Sequence, residues 1–338
     1  MKRNEILLGR DMSHRLVRVV GAVVLMAGSL AGFSAQAAYP DRPIRMVVPF
    51  PPGGNVDVTT RTITAALSRE LKQSVVIDNM GGAAGSIGAA NGARAKPDGY
   101  TLTATTLLTM TANPVMIPGI QVRMSDFQPI GVLGAAPCLV EVSAHNPHGV
   151  KDLATFLAYA RAHSGGMSIG HGGNGSMNQL TAVLVEKEFA LKLNAIPYKG
   201  SAPVLTDLLG NQLDSAVDQV TSSLPQIHAG ALIPIAVTAD KRLPNLPQVP
   251  TFKELGNPNL ELATYTLLLA PKGTPQPVMD TLNRALAKAL ADPAVQNQLL
   301  NVGVTVQQAD LTQAAAIVAR EQAKLAPFMK PEILMPRK

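Results

Sequence analysis

Short apolar runs alternate with helical stretches along most of this chain, and glycine-rich segments stand at three of the joins. Ile44-Arg-Met-Val-Val-Pro-Phe reads as a strand. Residues 57–71 carry Ile63, Leu67 and Leu71 at i, i+4 spacing, so they read as a helix. The series continues with strands at 75–78 and 100–104 and a small-residue helix at 86–95. Further on come strands at 138–143, 167–169, 194–198, 213–217 and 233–238. Helices are expected at 151–163, 176–190 and 202–209, and residues 241–250 form a proline-rich loop. The end holds a strand at 263–270, a helix at 276–291 with Leu282, Leu286 and Leu290, a stop at Asp292-Pro293, and a last helix at 311–325. Strands separated by helices of this length imply βαβ units, an α/β class and mainly parallel sheets.

Composition narrows the function classes. The 338 residues suffice for two domains. Aromatics are 4% and Trp is absent, so stacking platforms for sugars or single-stranded nucleic acid are poorly supplied. The formal charge of +6 is partly an effect of the amino end. Setting aside the five basic and two acidic residues of 1–37 leaves 24 basic and 21 acidic ones, with no block of like charge. A polyanion-binding surface has no support.

The amino end reads as a secretory signal. A basic stretch, residues 1–18, precedes an apolar run at 19–33 and the A-x-A site Ala35-Gln36-Ala37. The run is shorter than the roughly 20 residues of a spanning helix. Residues 1–37 are therefore expected to be removed and the remainder exported to the periplasm; Met12 is an alternative start. The single cysteine, Cys138, cannot form an internal disulfide and reads as a small buried hydrophobe.

Three glycine loops follow expected strands and precede expected helices: Pro51-Pro-Gly-Gly-Asn, Gly81-Gly-Ala-Ala-Gly and Gly170-His-Gly-Gly-Asn-Gly-Ser. Each sets backbone N–H groups at a helix start, a geometry suited to small anions such as carboxylates. In open α/β sheets such loops lie beyond the carboxyl ends of the strands, where ligands bind. Gly170-His-Gly-Gly-Asn-Gly also satisfies G-x-G-x-x-G. The next strand ends in Lys199-Gly200 with no acid for a ribose, which argues against a dinucleotide. No H-E-x-x-H, G-x-S-x-G or P-loop occurs, and no cofactor or metal is expected. His171, inside a glycine loop, reads as a polar or cationic ligand contact or as an exposed loop histidine. Asp57 reads as a helix-capping or dipole residue. Asp218 reads as an acceptor for a ligand amine or hydroxyl, or as a loop anchor.

The stretch Tyr39-Pro-Asp-Arg-Pro-Ile-Arg-Met-Val-Val-Pro-Phe-Pro-Pro-Gly-Gly-Asn-Val-Asp resembles the opening of the Bug receptors, the periplasmic substrate-binding proteins of tripartite tricarboxylate transporters. The likeness continues through residues 76–89 and 96–102, Gly172-Gly-Asn-Gly-Ser, and Pro197-Tyr-Lys-Gly-Ser-Ala-Pro. It reaches residues 208–214, Ala236-Val-Thr-Ala-Asp-Lys-Arg and Ala270-Pro-Lys-Gly-Thr-Pro. The resemblance implies a two-lobed clamshell with lobe 1 at 38–137 plus 263–338 and lobe 2 at 138–262. It implies a small organic carboxylate held between them and no catalysis. The implied ligand-binding residues are Phe50, Gly53, Gly54, Asn55, Asp57, Gly82, Ala83, Thr105 and Thr106 in lobe 1. In lobe 2 they are His171, Gly172, Asn174, Gly175, Ser176, Tyr198 and Asp218. Permease subunits of a tripartite transporter are the implied partners, and a monomer fits a clamshell that opens and closes. Two departures bear on the ligand. Met80 stands where the family commonly has arginine, and His171 where it has a small polar residue. A monocarboxylate or aromatic acid is thus expected as readily as a citrate-like one. The rival readings are an exported α/β hydrolase or isomerase and an interaction protein without a small ligand.

Overall fold

The structure, a computed structural model, describes residues 39–334. The expected signal segment lies outside the described residues. The chain opens with β1 (Ile44–Val48), α1 (Asn55–Leu71), β2 (Val75–Asn79), α2 (Ser86–Ala93) and β3 (Thr101–Thr106). Two short helices follow, α3 (Leu107–Thr111) and α4 (Asn113–Met116), and then the long strand β4 (Phe127–Ser143). Next come α5 (Leu153–Ala162), β5 (Ser168–His171), α6 (Met177–Glu188), β6 (Asn194–Pro197), α7 (Ser201–Leu209), β7 (Ser215–Gln219), α8 (Val220–His228) and β8 (Leu232–Val237). The chain closes with β9 (Ala263–Pro271), α9 (Gln276–Ala291), α10 (Pro293–Asn301), α11 (Leu311–Leu325) and α12 (Pro331–Leu334). Among the described residues no helix is long and apolar enough to cross a membrane.

The α/β class expected from the alternation holds. β1 pairs in parallel with β2 and β3, and β5 in parallel with β6 and β7. Two strands run against these sets. β9 is antiparallel to β3, and β4 is antiparallel to β9, β7 and β8. β4 changes partners midway: residues 127–137 lie on β9, while 138–143 lie on β7 and β8. Thr238 clips this junction. Its Oγ1 accepts from the Cys138 N–H at 2.9 Å and donates to the Leu262 carbonyl at 2.6 Å. Its own N–H donates to the Cys138 carbonyl at 2.8 Å.

Local sequence explains most elements. α1 buries Val56, Ile63, Ala66, Leu67 and Leu71 along one face and ends at Lys72 in a left-handed cap. α9 buries Leu282, Leu286 and Leu290, as their spacing predicts. α2 is built of small residues because it lies against β3. A Cβ at Gly92 would stand 1.9 Å from Thr103 Oγ1.

Four expectations need correction. The strand expected at 138–143 is the end of a 17-residue strand. Asp292-Pro293 ends α9 but also starts α10: proline is tolerated in a first helical turn, and the Asp292 carboxylate caps it by accepting from the Ala294 N–H. Residues 220–228, given no element, form α8 despite Pro225, with Val220, Leu224 and Ile227 buried. Gly170 and His171 belong to β5 rather than to a loop.

Candidate functional site

The loops after β1, β2 and β3 leave the same ends of parallel strands, as do those after β5, β6 and β7. The first loop, residues 49–54, is held by Asp57. Its carboxylate accepts from the Gly53 N–H at 2.9 Å, from Asn79 Nδ2 at 2.9 Å and from Arg61 Nε at 2.8 and 2.9 Å. Asn79 Nδ2 also donates to the Phe50 carbonyl at 3.0 Å. Burial pushes the Asp57 pKa up, but the hydrogen bonds from Arg61, Gly53 and Asn79 outweigh it and hold the carboxyl below its ordinary range. Both oxygens are thus taken up by the protein, and Asp57 positions the loop. Gly54 precedes α1 as its cap residue with no side-chain hydrogen bond, so the first N–H groups of the helix have no side-chain cap. Beside them Asn55 Nδ2 is buried without a partner.

The second loop is wound left-handed. Gly82, Ala83, Ala84 and Gly85 all have positive φ. Only glycine takes this region without strain, so Ala83 and Ala84 are held there by their surroundings. One restraint is visible: Asn113 Nδ2 donates to the Ala84 carbonyl at 2.8 Å and to Ser86 Oγ at 2.9 Å. Gly85 packs on Phe50, where a Cβ would stand 3.0 Å from the ring. The first two loops therefore touch. At the end of β3, Thr105 Oγ1 is buried and unpartnered, while Thr106 caps α3 by accepting from the Thr109 N–H.

The third loop follows His171. Ser176 Oγ donates to the Gly173 carbonyl at 2.6 Å and caps α6 by accepting from the Gln179 N–H. The Gly175 N–H donates to Gln179 Oε1 at 2.7 Å, and Gln179 Nε2 reaches Asn174 Oδ1 at 3.4 Å. Gly175 lies against α4, where a Cβ would stand 2.7 Å from Asn113 Oδ1. Asn113 thus touches both the second and the third loop. Gly172 packs on Asn178 Nδ2, which donates to Asp218 Oδ1 at 2.9 Å. That same oxygen accepts from Ser201 Oγ at 2.6 Å and from the Gln219 N–H at 2.8 Å, whereas Asp218 Oδ2 is buried with no partner. Burial raises the Asp218 pKa to about 6 against these hydrogen bonds. α8 starts at Gln219 with no side-chain cap and packs against α1, and Thr221 Oγ1 and Ser222 Oγ have no partners.

Two expected roles change with this geometry. His171 ends β5 and is 1% exposed, with Nδ1 against Gly173 at 3.3 Å. Burial lowers its pKa to about 4, so the ring is neutral at neutral pH and offers a hydrogen bond but no charge. The Tyr198 phenol donates to Asp207 Oδ2 at 2.6 Å, and burial and that carboxylate raise its pKa to about 12. The backbone of Tyr198 carries its contact with the loop: its N–H donates to the His171 carbonyl, and its own carbonyl faces Gly173. Met80 turns toward a cavity beside α2, and the guanidinium next to its sulfur is Arg45, paired with Asp78 at 2.6 Å. Cys138 is fully buried, and burial pushes its thiol up to about 12. Sequence reasoning missed Asn79, Asn113, Asn178 and Gln179. The last two were marked only by their place in the first turn of a helix after a glycine loop.

Two β-α-β sets joined by the crossing strands β4 and β9, with glycine-rich loops at the strand ends, make the two-lobed fold of periplasmic binding proteins. Residues 59–333 match the family described as tripartite tricarboxylate transporter family receptor, and the chain belongs to that family. It is 35% identical to protein BugT of Bordetella pertussis, over 91% of this chain and 94% of that one. Among solved structures it is similar to the periplasmic binding protein BugD, with a TM-score of 0.78 and 33% identity over 86% of this chain and 96% of the other. It is also similar to MatC from Rhodopseudomonas palustris with bound malate, with a TM-score of 0.78 and 31% identity over 86% and 100%. An R. palustris protein solved with adipate gives a TM-score of 0.78 and 32% identity over 85% and 97%.

Proposed function

We propose that this chain is an exported, non-catalytic receptor that captures a small organic carboxylate between lobe 1 (38–137 plus 263–338) and lobe 2 (138–262). It passes the ligand to the permease subunits of a tripartite transporter. The observation that carries this reading is the set of unsatisfied polar groups at the loop ends. The starts of α1 and α8 lack side-chain caps, and Asn55, Thr105, Asn113, Asp218 and Thr221 each hold a buried polar atom without a partner. Buried polar groups are ordinarily paired; Asn55 Nδ2, Thr105 Oγ1 and Thr221 Oγ1 can donate to an anion, while Asn113 Oδ1 and Asp218 Oδ2 can only accept and suit a hydroxyl or protonated carboxyl of the same ligand. Family membership and the malate and adipate seen in similar structures support the same ligand class. Backbone donors hold a carboxylate without burying a full opposing charge, which keeps release possible.

In this reading Gly53, Gly54 and Asn55 offer the first donors, and Gly82 and Ala83 with Phe50 form the adjoining wall. Thr105 and Thr106 close the floor, and residues 172–176 close over the ligand from lobe 2. Asp218 Oδ2 receives a donor from the ligand. The hinge runs through Cys138, Thr238 and Leu262. Cleavage after Ala37 places the mature chain in the periplasm, where it acts as a monomer. Native mass spectrometry of the mature protein purified without denaturation tests the assignment. A copurified organic acid, or a thermal shift with one member of a panel of mono-, di- and tricarboxylates, is expected. No acid in either experiment, or turnover of generic esters, contradicts it.

A further inference from the structure

We propose that a cavity outside the interlobe site, between α2 and residues 119–122, is a second binding site that takes an amphipathic monocarboxylate. The cavity has a volume of about 410 Å³, within the rough range of 300–1,000 Å³ typical of small-molecule sites. Met80, Ile87, Ala90, Ile120 and Val122 supply its apolar lining, and Ser86, Asn91 and Gln121 its neutral polar lining. Ile87, one of the lining residues, is 55% exposed. Residues 87, 90, 91 and 94 fall at i, i+3, i+4 and i+7, so one face of α2 and the residue capping it form a continuous wall.

Charge selects the head group. Arg45, the cation nearest Met80, is neutralised by Asp78 at 2.6 Å and also donates to Asn91 Oδ1 at 3.0 Å. Arg94 lines the same cavity and has no carboxylate partner among the described residues. The cavity is therefore lined by one arginine without an ion-pair partner among the described residues, beside apolar and neutral polar side chains. A single carboxylate on a hydrocarbon body satisfies both.

The test titrates octanoate into the isotope-labelled mature chain and follows amide shifts. Saturable shifts confined to residues 86–94 and 119–122 are expected. Arg94→Glu should weaken octanoate at least tenfold and leave 1-octanol binding within twofold, since only the head group is lost. Ile87→Asp, at an exposed position, should weaken both. Octanoate that moves only residues 50–55 and 171–176, that binds Arg94→Glu as well as the parent, or that binds nowhere overturns the second site. None of these results touches the interlobe reading, which rests on the carboxylate panel.

Discussion

Replacing Asp57 by alanine removes the anchor of the first loop. The carboxylate is 2% exposed and receives the Gly53 N–H and the Asn79 amide at 2.9 Å each. Buried hydrogen bonds to a charged group contribute about 1.5 kcal/mol each at the low end. The Arg61 pair is half exposed on its arginine side and adds about 0.5 kcal/mol after screening. The expected loss is thus about 3.5 kcal/mol, read from urea unfolding at pH 7. The same change frees residues 49–54 and should weaken ligand binding at least tenfold. The pH dependence carries a second signature. The folded pKa of Asp57 is lowered, so its contribution is present above the unfolded value near 3.8 and is lost as pH falls through the folded one. Asp57→Asn should therefore flatten the acid limb of the stability profile below about pH 4. A loss under about 1 kcal/mol in the alanine variant, or an unchanged acid limb in the asparagine variant, contradicts the anchoring role.

Asp218 titrates the other way. Its folded pKa is raised to about 6, so its contribution is present below the unfolded value and lost as pH rises through 6. Asp218→Asn should remove a fall of about 2–3 kcal/mol between pH 4 and pH 7, measured by chemical denaturation at each pH. His171, lowered to about 4, should show no NMR titration of its ring between pH 6 and 8, and a midpoint above 6 would restore the cationic reading. Gly92→Val drives a side chain into Thr103 and should destabilise by about 1–3 kcal/mol. Cys138 should stay unreactive toward a thiol reagent until the chain unfolds, given its burial and raised pKa.

Regular periodicity was easy to read. The leucine ladder of α9 places that helix at its observed bounds, and the β-branched run of β1 places that strand to within two residues. What escaped depends on tertiary contacts. β4 contains Pro129, Gly131, Gly134 and Pro137, which read locally as breaks. Irregularities in its pairing with β9 at 129–131 and 132–134 absorb two of these without ending the strand. Gly170 reads as part of a turn, yet it is small because Leu213 and Val204 press on it; a Cβ there would stand 2.5 Å from Leu213 Cδ1. Pairing of His171 with Pro197 and Val217 then draws the histidine into the strand and out of solvent. The three glycine loops of the site were legible from their place between strands and helices. The amides that hold them, Asn79 and Asn113, were not, because a lone asparagine carries no periodic signal.

Isothermal titration of the mature chain with malate, adipate, citrate and benzoate, repeated on Gly175→Val, tests the interlobe site most directly. Gly175 has positive φ and lies against Asn113, so a branched side chain there blocks the approach of the third loop to the first two. The predicted result is one-to-one binding of at least one acid by the parent, weakened at least tenfold in a variant that still unfolds cooperatively. Binding of equal strength in the variant, or binding of none of the acids by the parent, contradicts capture between the lobes.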